Sequence, residues 1–597
     1  MDDELLGYYE KELTFIRQMG AEFARKYPKI AGRLLLEPDK CEDPHTERLI
    51  EAFAFLSARV HKKIDDEFPE ITESLLSIIY PHYINPIPAM TIVRFEPIKQ
   101  NIPASGYFIE KGTTLYSKPV AGIACQFSTS YPVTAWPVEV TSASLKNPRL
   151  SIKNAQQAIQ IQLKTFNSLA VSQLGWDSLR FFLNAQHQHV FHLYELLMNN
   201  VCHIELEAKT KQGQTVNIQL SPNDIKPVGF TREDNLLPYS SRSFPGYLLL
   251  FEYFCFSEKF LFFDINGLSR LKDYELTDTL DIWIYLDRPA KQNLVMNAET
   301  FCLNATPAVN IFKRIAEPVR IEHRLSDYRI IPDIRRQNAT EVFTVDSVVS
   351  SLSSGKVIDY RPIFSLRHLG DEEEGRKVFW NIKRLASGKK GDSGTEVYLS
   401  FTDASLKPTD PGVETVTLHV TCTNRDLPAR LSFGDQQGDF DLDTAGPFSK
   451  IVSLIKPTSC RRPSLGGSLQ WKLISHLSLN YLSLVGGGEE ALKEILKLYD
   501  FDNSPSTGQQ ISGIVKLATD HVTRRIGVSF IRGIQTAITF DEDKFVGAGL
   551  FLFASILETF LAQYVSINSF VQLEARTVQK KEPLKKWPPR NGSRILL

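Results

Sequence analysis

The chain has 597 residues, with 68 Lys and Arg against 69 Asp and Glu and 43% hydrophobic residues. That length suggests about three to five domains, and the mixture is too apolar for intrinsic disorder. A formal net charge of -1 excludes the basic excess of a protein that coats nucleic acid.

The first ninety or so residues read as helical. Leu5, Tyr9, Leu13, Ile16, Met19 and Phe23 recur at steps of three and four, the spacing of one helix face, and the segment stops near Tyr27-Pro28. Glu22 and Lys26 are spaced for mutual support one turn apart. A second helix is signalled by Asp43 as cap and Pro44 in the first turn. It places Leu49, Phe53, Leu56, Val60 and Ile64 on one side. A third opens at Pro69 and runs through Ile71, Leu75 and Ile79 to Pro81. Such stripes either close a self-contained bundle or are shared with partner helices, and spacing leaves both readings open.

After Pro86 and Pro88 the period changes to alternation. Ile92 to Glu96, AIQIQLKTF, VCHIELEAK, TVNIQL, DIWIYL, EVYLSFTD and TVTLHVTCT read as strands. One helix is expected around Glu195–Met198. Helical signals return in WKLISHLSL and EEALKEILKLY, followed by two strand-like runs, an apolar stretch and a last strand near Phe570–Leu573. The apolar stretch, Phe545 to Ile567, is interrupted by Glu558, Thr559 and Gln563. It falls short of the ~18 clean apolar residues of a membrane span, so a buried helix is expected. The run Asp541-Glu542-Asp543 stands where a helix N-terminus favours negative charge. From Lys580 to Leu597 the chain is basic and broken by Pro583, Pro588 and Pro589, which reads as a solvated end. The expected organisation is a helical segment (1–90), two β-rich domains (91–300 and 301–465), an α/β domain (466–580) and a basic mobile tail (581–597).

The search for reactive constellations finds little. The 7 Cys are scattered, without CxxC spacing, as in a cytosolic protein with reduced, buried thiols. The start Met1-Asp2-Asp3-Glu4 is acidic where an export signal needs positive charge. HExxH, GxSxG and GxGxxG are missing. Gly370-DEEE-Gly375 lacks the Lys-Ser/Thr pair of a phosphate loop. Gly486-Gly487-Gly488 precedes Glu489-Glu490, which already satisfy that helix dipole, so the glycines read as a turn. His187 and His189 would share a face if they lay on a strand, but no Asp or Cys joins them nearby. No cofactor, metal or catalytic residue is assigned. Paired carboxylates of a β-rich, carbohydrate-active hydrolase remain the alternative, and a peripheral membrane protein using the basic tail and the Phe545–Ile567 helix is a third reading.

The opening DELLGYYEKELTFIRQMGAEFARKYPKIAGRL and the run DPHTERLIEAFAFLSARVHKKIDDEFPEITESLLSIIYPHYINPIPAM resemble the TssF family (also called ImpG or VasA) of bacterial type VI secretion baseplates. Further blocks follow in order: SFPGYLLLFEYFCFSEKFLFFDINGL, ATPAVNIFKRIAEPVRI, VTCTNRDLPARL, WKLISHLSLNYLSL and ASILETFLAQYVSINSF. A weaker likeness joins Ile109–Thr113 to Phe127-Ser128-Thr129 and Val133, in the strand–Gly–Thr–strand pattern of contractile-phage baseplate wedge proteins. Lys111 and Ser128 depart from that pattern, while Gly112 suits a hairpin position of positive φ.

The resemblance implies an α+β multidomain fold with an N-terminal helical segment, β-rich centre and α/β C-terminal domain similar to those phage proteins. It implies a structural role in which two copies join one TssG, whose loops recruit TssK, to form a wedge. Such wedges, with TssE, surround the VgrG spike and contact neighbouring wedges through the C-terminal domain. They sit in the cytoplasm beneath the inner-membrane complex, without nucleic acid and without direct membrane insertion. On this reading the helix faces bearing Leu5, Tyr9, Leu13, Ile16, Leu49, Phe53, Leu56 and Val60 are the partner surface.

Overall fold

The computed structural model describes residues 3–32, 44–65, 69–149, 152, 154–239, 243–291, 294–321, 325–351, 357–363, 378–403, 415–463, 473–474, 488–501, 504–526, 529–565 and 569–591. The expected Asp43 cap, Cys41, the DEEE loop, Gly486, Gly487 and, but for 473–474, the WKLISHLSL segment lie outside these residues. The chain divides into two compact units, residues 1–77 with 464–478, and residues 78–463 with 479–597.

In the first unit α1 spans Asp3–Lys26 and is followed by the single turn α2, Pro28–Ala31. Pro28 has no amide to donate and fits a first turn. Helix α3 runs Pro44–Asp65 and α4 runs Pro69–Ile79, each opening at the proline that marks it in the sequence.

The second unit is built around a closed barrel. Its strands follow the order Met90–Pro97, Ala305–Val309, Gln126–Thr129, Thr114–Ser117, Phe440–Leu442, Phe448–Ser453 and back to the first. Alternation places Val93, Phe95, Leu115, Phe127, Ala308 and Ile451 in one core, as the two-residue period of a strand requires. This barrel overturns the expected border at 300. Ile92 faces Pro307 and Phe95 faces Ile451, so strands from both sides of that border close a single sheet.

A five-stranded antiparallel sheet follows the order Thr215–Leu220, Val201–Thr210, Leu276–Leu286, Gln157–Thr165, Val138–Lys146. Its buried face carries Ile159, Ile161, Leu163, Ile204, Leu206, Ile282 and Ile284. A further core joins the sheet containing Glu341–Ser351 and Thr415–Thr423 to the sheet containing Val378–Ala386 and Thr395–Asp403. Tyr328, Val342, Leu399, Leu418 and Val420 lie within it.

Near the C-terminus, Ile514–Ile526 and Ser529–Phe540 form a long antiparallel pair. The second strand then runs parallel to Ser569–Thr577. Parallel neighbours need a crossover, supplied by the helix Leu550–Ala562. All its residues from Phe551 to Ala562 are buried, which explains the apolar stretch: the helix is covered by protein. Helices α5 (His187–Asn199) and α6 (Pro245–Cys255) supply part of that cover. Tyr194 meets Phe551 with ring centres 6.2 Å apart, and Tyr253 meets Phe553 at 5.6 Å. The region 466–580 is therefore not a detached domain. Among the described residues no helix is long and apolar enough to cross a membrane. Where the two strands run parallel, Gly533 lies opposite Phe570, and a Cβ there would meet the ring at 2.5 Å.

Four local expectations need correction. The acidic run does not open the apolar helix: Glu542–Phe545 is a short 3-10 turn capped by Asp541, and the helix begins at Leu550. The tail is paired, not mobile, as far as Asn591. Lys585–Lys586 and Arg590–Asn591 add to the strand Ser569–Thr577, and Leu584 and Trp587 are buried. Glu558 receives Arg590 Nε at 3.0 Å, so the basic residues serve this junction. Residues 592–597 lie outside the described residues. The turn at Gly112 has the positive φ of +87° but closes no hairpin. Tyr107–Ile109 pairs with Val133–Ala135, while Thr114–Ser117 belongs to the barrel.

The histidines are the fourth. His187, His189 and His192 lie on α5, not on a strand, so alternation does not set their faces. Among the described residues no group of three or more His, Cys, Asp or Glu is placed to hold a metal. Burial, then the charges of Lys291, His189 and Lys580, pulls the His192 imidazole down to about 4. The unfolded chain would take up this proton near pH 6.5, so the residue costs stability as pH falls from there towards 4. His192→Gln is expected to flatten that part of the profile, read as urea midpoints of both proteins near pH 7 and near pH 4.5.

Cys125, Cys202, Cys255, Cys302, Cys422 and Cys460 are free thiols. Burial pushes Cys422 and Cys460 up to about 12, which makes them inert packing residues.

Candidate interaction surface

The surface that the sequence singles out lies on α1 and α3. The rings of Tyr9 and Phe55 are 6.5 Å apart, and Arg17 pairs with Glu47, so the helices run antiparallel. Hydrogen bonding to Glu47 raises the Arg17 guanidinium above its ordinary value. A second cross-link joins Glu12 to His61 Nδ1 at 2.7 Å. Ala54 and Ala58 are fully buried, and their short side chains permit a close approach of two backbones.

Half of the expected stripe is used inside this pair. Leu5, Tyr9, Leu13 and Ile16 are half-buried. The other half is open. Leu49 is 71% exposed, Phe53 63%, Leu56 56% and Val60 57%. At positions i, i+4, i+7 and i+11 they form one continuous face of α3. Met19 and Phe23, read in sequence as part of the α1 stripe, are exposed as well. Ala24, near the end of the same helix, is buried, so this part of α1 is covered on another face. Leu6 and Phe15 are exposed too. Phe15, Met19 and Phe23 recur every four residues, the signal by which this second stripe is legible. Four large apolar side chains more than half exposed on one helix face make this the candidate surface.

Among the described residues no comparable arrangement supports hydrolysis. A cavity of 260 Å³ is lined by Glu96, Glu139 and Glu299. Glu96 is held by Arg94 at 2.6 Å and Glu139 by Lys99 at 2.6 Å. A general acid needs a carboxyl group shielded from cations, and these two lie against them.

Residues 1–594 match the family described as Type VI secretion system, TssF. The chain belongs to the TssF family. It is 35% identical to the type VI secretion system component TssF1 of Pseudomonas aeruginosa, with 100% of both chains covered. It is also similar in structure to a chain of the type VI TssK-TssF-TssG baseplate subcomplex, with a TM-score of 0.74 and 26% identity, over 92% of this chain and 99% of that one. A chain of another type VI baseplate complex shares the fold at a TM-score of 0.62 and 23% identity, over 99% and 100% of the two chains. A full-length TssF match agrees with the α+β multidomain architecture and with the resemblance carried by the sequence blocks. Nothing in these likenesses points to a hydrolase.

Proposed function

We propose that this TssF protein is a non-catalytic subunit of a type VI secretion baseplate, docking partner helices on the open face of α3 and the end of α1. The observation that carries the reading is the apolar row Leu49, Phe53, Leu56 and Val60, more than half exposed throughout, on a chain similar to a member of a TssK-TssF-TssG subcomplex. Apolar anchors at i, i+4, i+7 and i+11 suit a helix packed into a groove or bundle. The partners are TssG, with two copies of this chain for each TssG, and TssK. TssE, VgrG and neighbouring wedges complete the assembly, in the cytoplasm beneath the inner-membrane complex.

Co-expression with the cognate TssG and TssK, followed by mass measurement of the purified complex, tests this. A mass containing two copies of this chain for each TssG is the expected result. A chain that purifies alone as a monomer in the presence of both would refute the assembly role.

A further inference from the structure

A second feature of the larger unit has the makings of a recognition site. A cavity of 340 Å³ opens beside the turn Glu110–Thr113. It is lined by two cations, Lys111 and Arg232, by Tyr239, and by the apolar side chains of Leu236, Leu237 and Val309. No Asp or Glu lines it among the described residues. The Arg232 guanidinium lies 4.8 Å from the centre of the Tyr239 ring. The Tyr239 hydroxyl is buried with no hydrogen-bond partner, an omission that ordinarily carries a free-energy cost.

The wall of this cavity is held rigidly. Lys111 Nζ donates to the carbonyls of Glu233 at 2.7 Å and Asn235 at 2.9 Å. Glu252 Oε1 accepts the amides of Leu236 at 2.8 Å and Leu237 at 3.1 Å. Lys259 pairs with the other oxygen of Glu252 and donates to the Asp234 carbonyl at 3.2 Å. Two of the three carboxylates that attract Lys111 are thus occupied elsewhere: Glu252 as described, and Asp234 by the Thr231 hydroxyl at 2.8 Å and the Gly229 amide at 3.1 Å; the third, Glu233, does not line the cavity. Burial pulls the Lys111 ammonium down from its ordinary value in spite of the attraction of Glu252, Asp234 and Glu233. A lysine with two carbonyl acceptors retains one N–H for a third partner. A preorganised wall, two cations and an apolar lining together form a complement to one kind of group: a carboxylate with a greasy neighbour.

We propose that this cavity is a socket for a peptide segment of a partner protein, whose acidic side chain meets Lys111 and Arg232 while an adjacent apolar side chain meets Leu236, Leu237 and Val309. The inference rests on the assembly reading above and adds a polar anchor distant in sequence from α1 and α3. Neither Lys111, Arg232 nor Tyr239 belongs to the interaction face read from helix periodicity, because the three come together only through the fold.

Amine labelling with a soluble acetylating ester, read by mass spectrometry, tests the socket in the full chain. Lys111 should label at least about tenfold more slowly in the complex with TssG and TssK than in the isolated chain, as for a site filled nine-tenths of the time. Carbodiimide should join Lys111 to an Asp or Glu of TssG or TssK, and Lys111→Arg, which keeps the charge, should lose that product while the complex still forms. Equal labelling of Lys111 in a complex of the expected mass overturns the socket and leaves the assembly role standing. A carbodiimide product between Lys111 and a second copy of this chain also overturns it. Failure of the complex to form removes the assembly role and the socket together.

Discussion

Glu252→Ala is expected to lower the unfolding free energy of its region by about 3–5 kcal/mol, the usual cost of leaving a buried charge without its partner. The Glu252 and Lys259 side chains are both fully buried. Removing the carboxylate strands the Lys259 ammonium, left with the Asp234 carbonyl and the Phe260 ring 4.7 Å away. It also orphans the amides of Leu236 and Leu237. A double replacement, Glu252→Leu with Lys259→Met, removes both charges and should recover part of the loss, because well-packed apolar side chains can substitute for a buried ion pair. The two orphaned amides prevent full recovery. Hydrogen exchange at Leu236 and Leu237, with thermal denaturation of the three proteins, measures this. A single variant no less stable than the double one would show that the pair is not held as described.

The second large effect is on assembly. Phe53→Asp and Leu56→Asp place a carboxylate on a face that is open in the isolated chain, so stability should change by no more than about 0.5 kcal/mol. Covered by partner helices, the same carboxylate is buried without a counter-charge. That should cost about 3–5 kcal/mol, more than about a hundredfold in affinity. Leu13→Asp is the contrasting variant: Leu13 is half-buried on the stripe that the α1–α3 pair uses, so it should lower stability as well as recovery. Thermal denaturation and co-purification with TssG and TssK separate the two. Undiminished recovery of the Phe53 and Leu56 variants would remove α3 from the interface.

Helices α1, α3, α4 and α5 and several of the longer strands were legible because burial imposes a period. The proline entries at Pro44 and Pro69 and the alternation Ile159, Ile161, Leu163 each name their element from local residues alone, whereas Pro28 reads only as the end of α1. The histidine segment misled because His187-Gln188-His189 alternates in residue type but is polar throughout, while the apolar residues that decide, Val190, Leu193, Tyr194 and Leu197, follow helical spacing. The prolines of the tail spoke for a solvated end, but short edge pairing tolerates proline, and Leu584 and Trp587 supply the buried contacts. As for the candidate site, periodicity identified the open row on α3 but could not tell it from the half-buried row on α1. That distinction is set by which face the partner helix takes. The cavity of Lys111, Arg232 and Tyr239 left no local trace.

The barrel bears on how the chain is made. Thr91 and Ser453, bonded at 2.7 Å on adjoining strands, are 362 positions apart. At a synthesis rate of about 5–20 residues per second, the first strand leaves the ribosome roughly 20 to 70 seconds before its last neighbour exists. Through that interval the nascent sheet has two raw edges, which are templates for mispairing. Translation has to pass residue 453 of 597 before the barrel can shut, and until then it depends on whatever shields growing polypeptides in the cell.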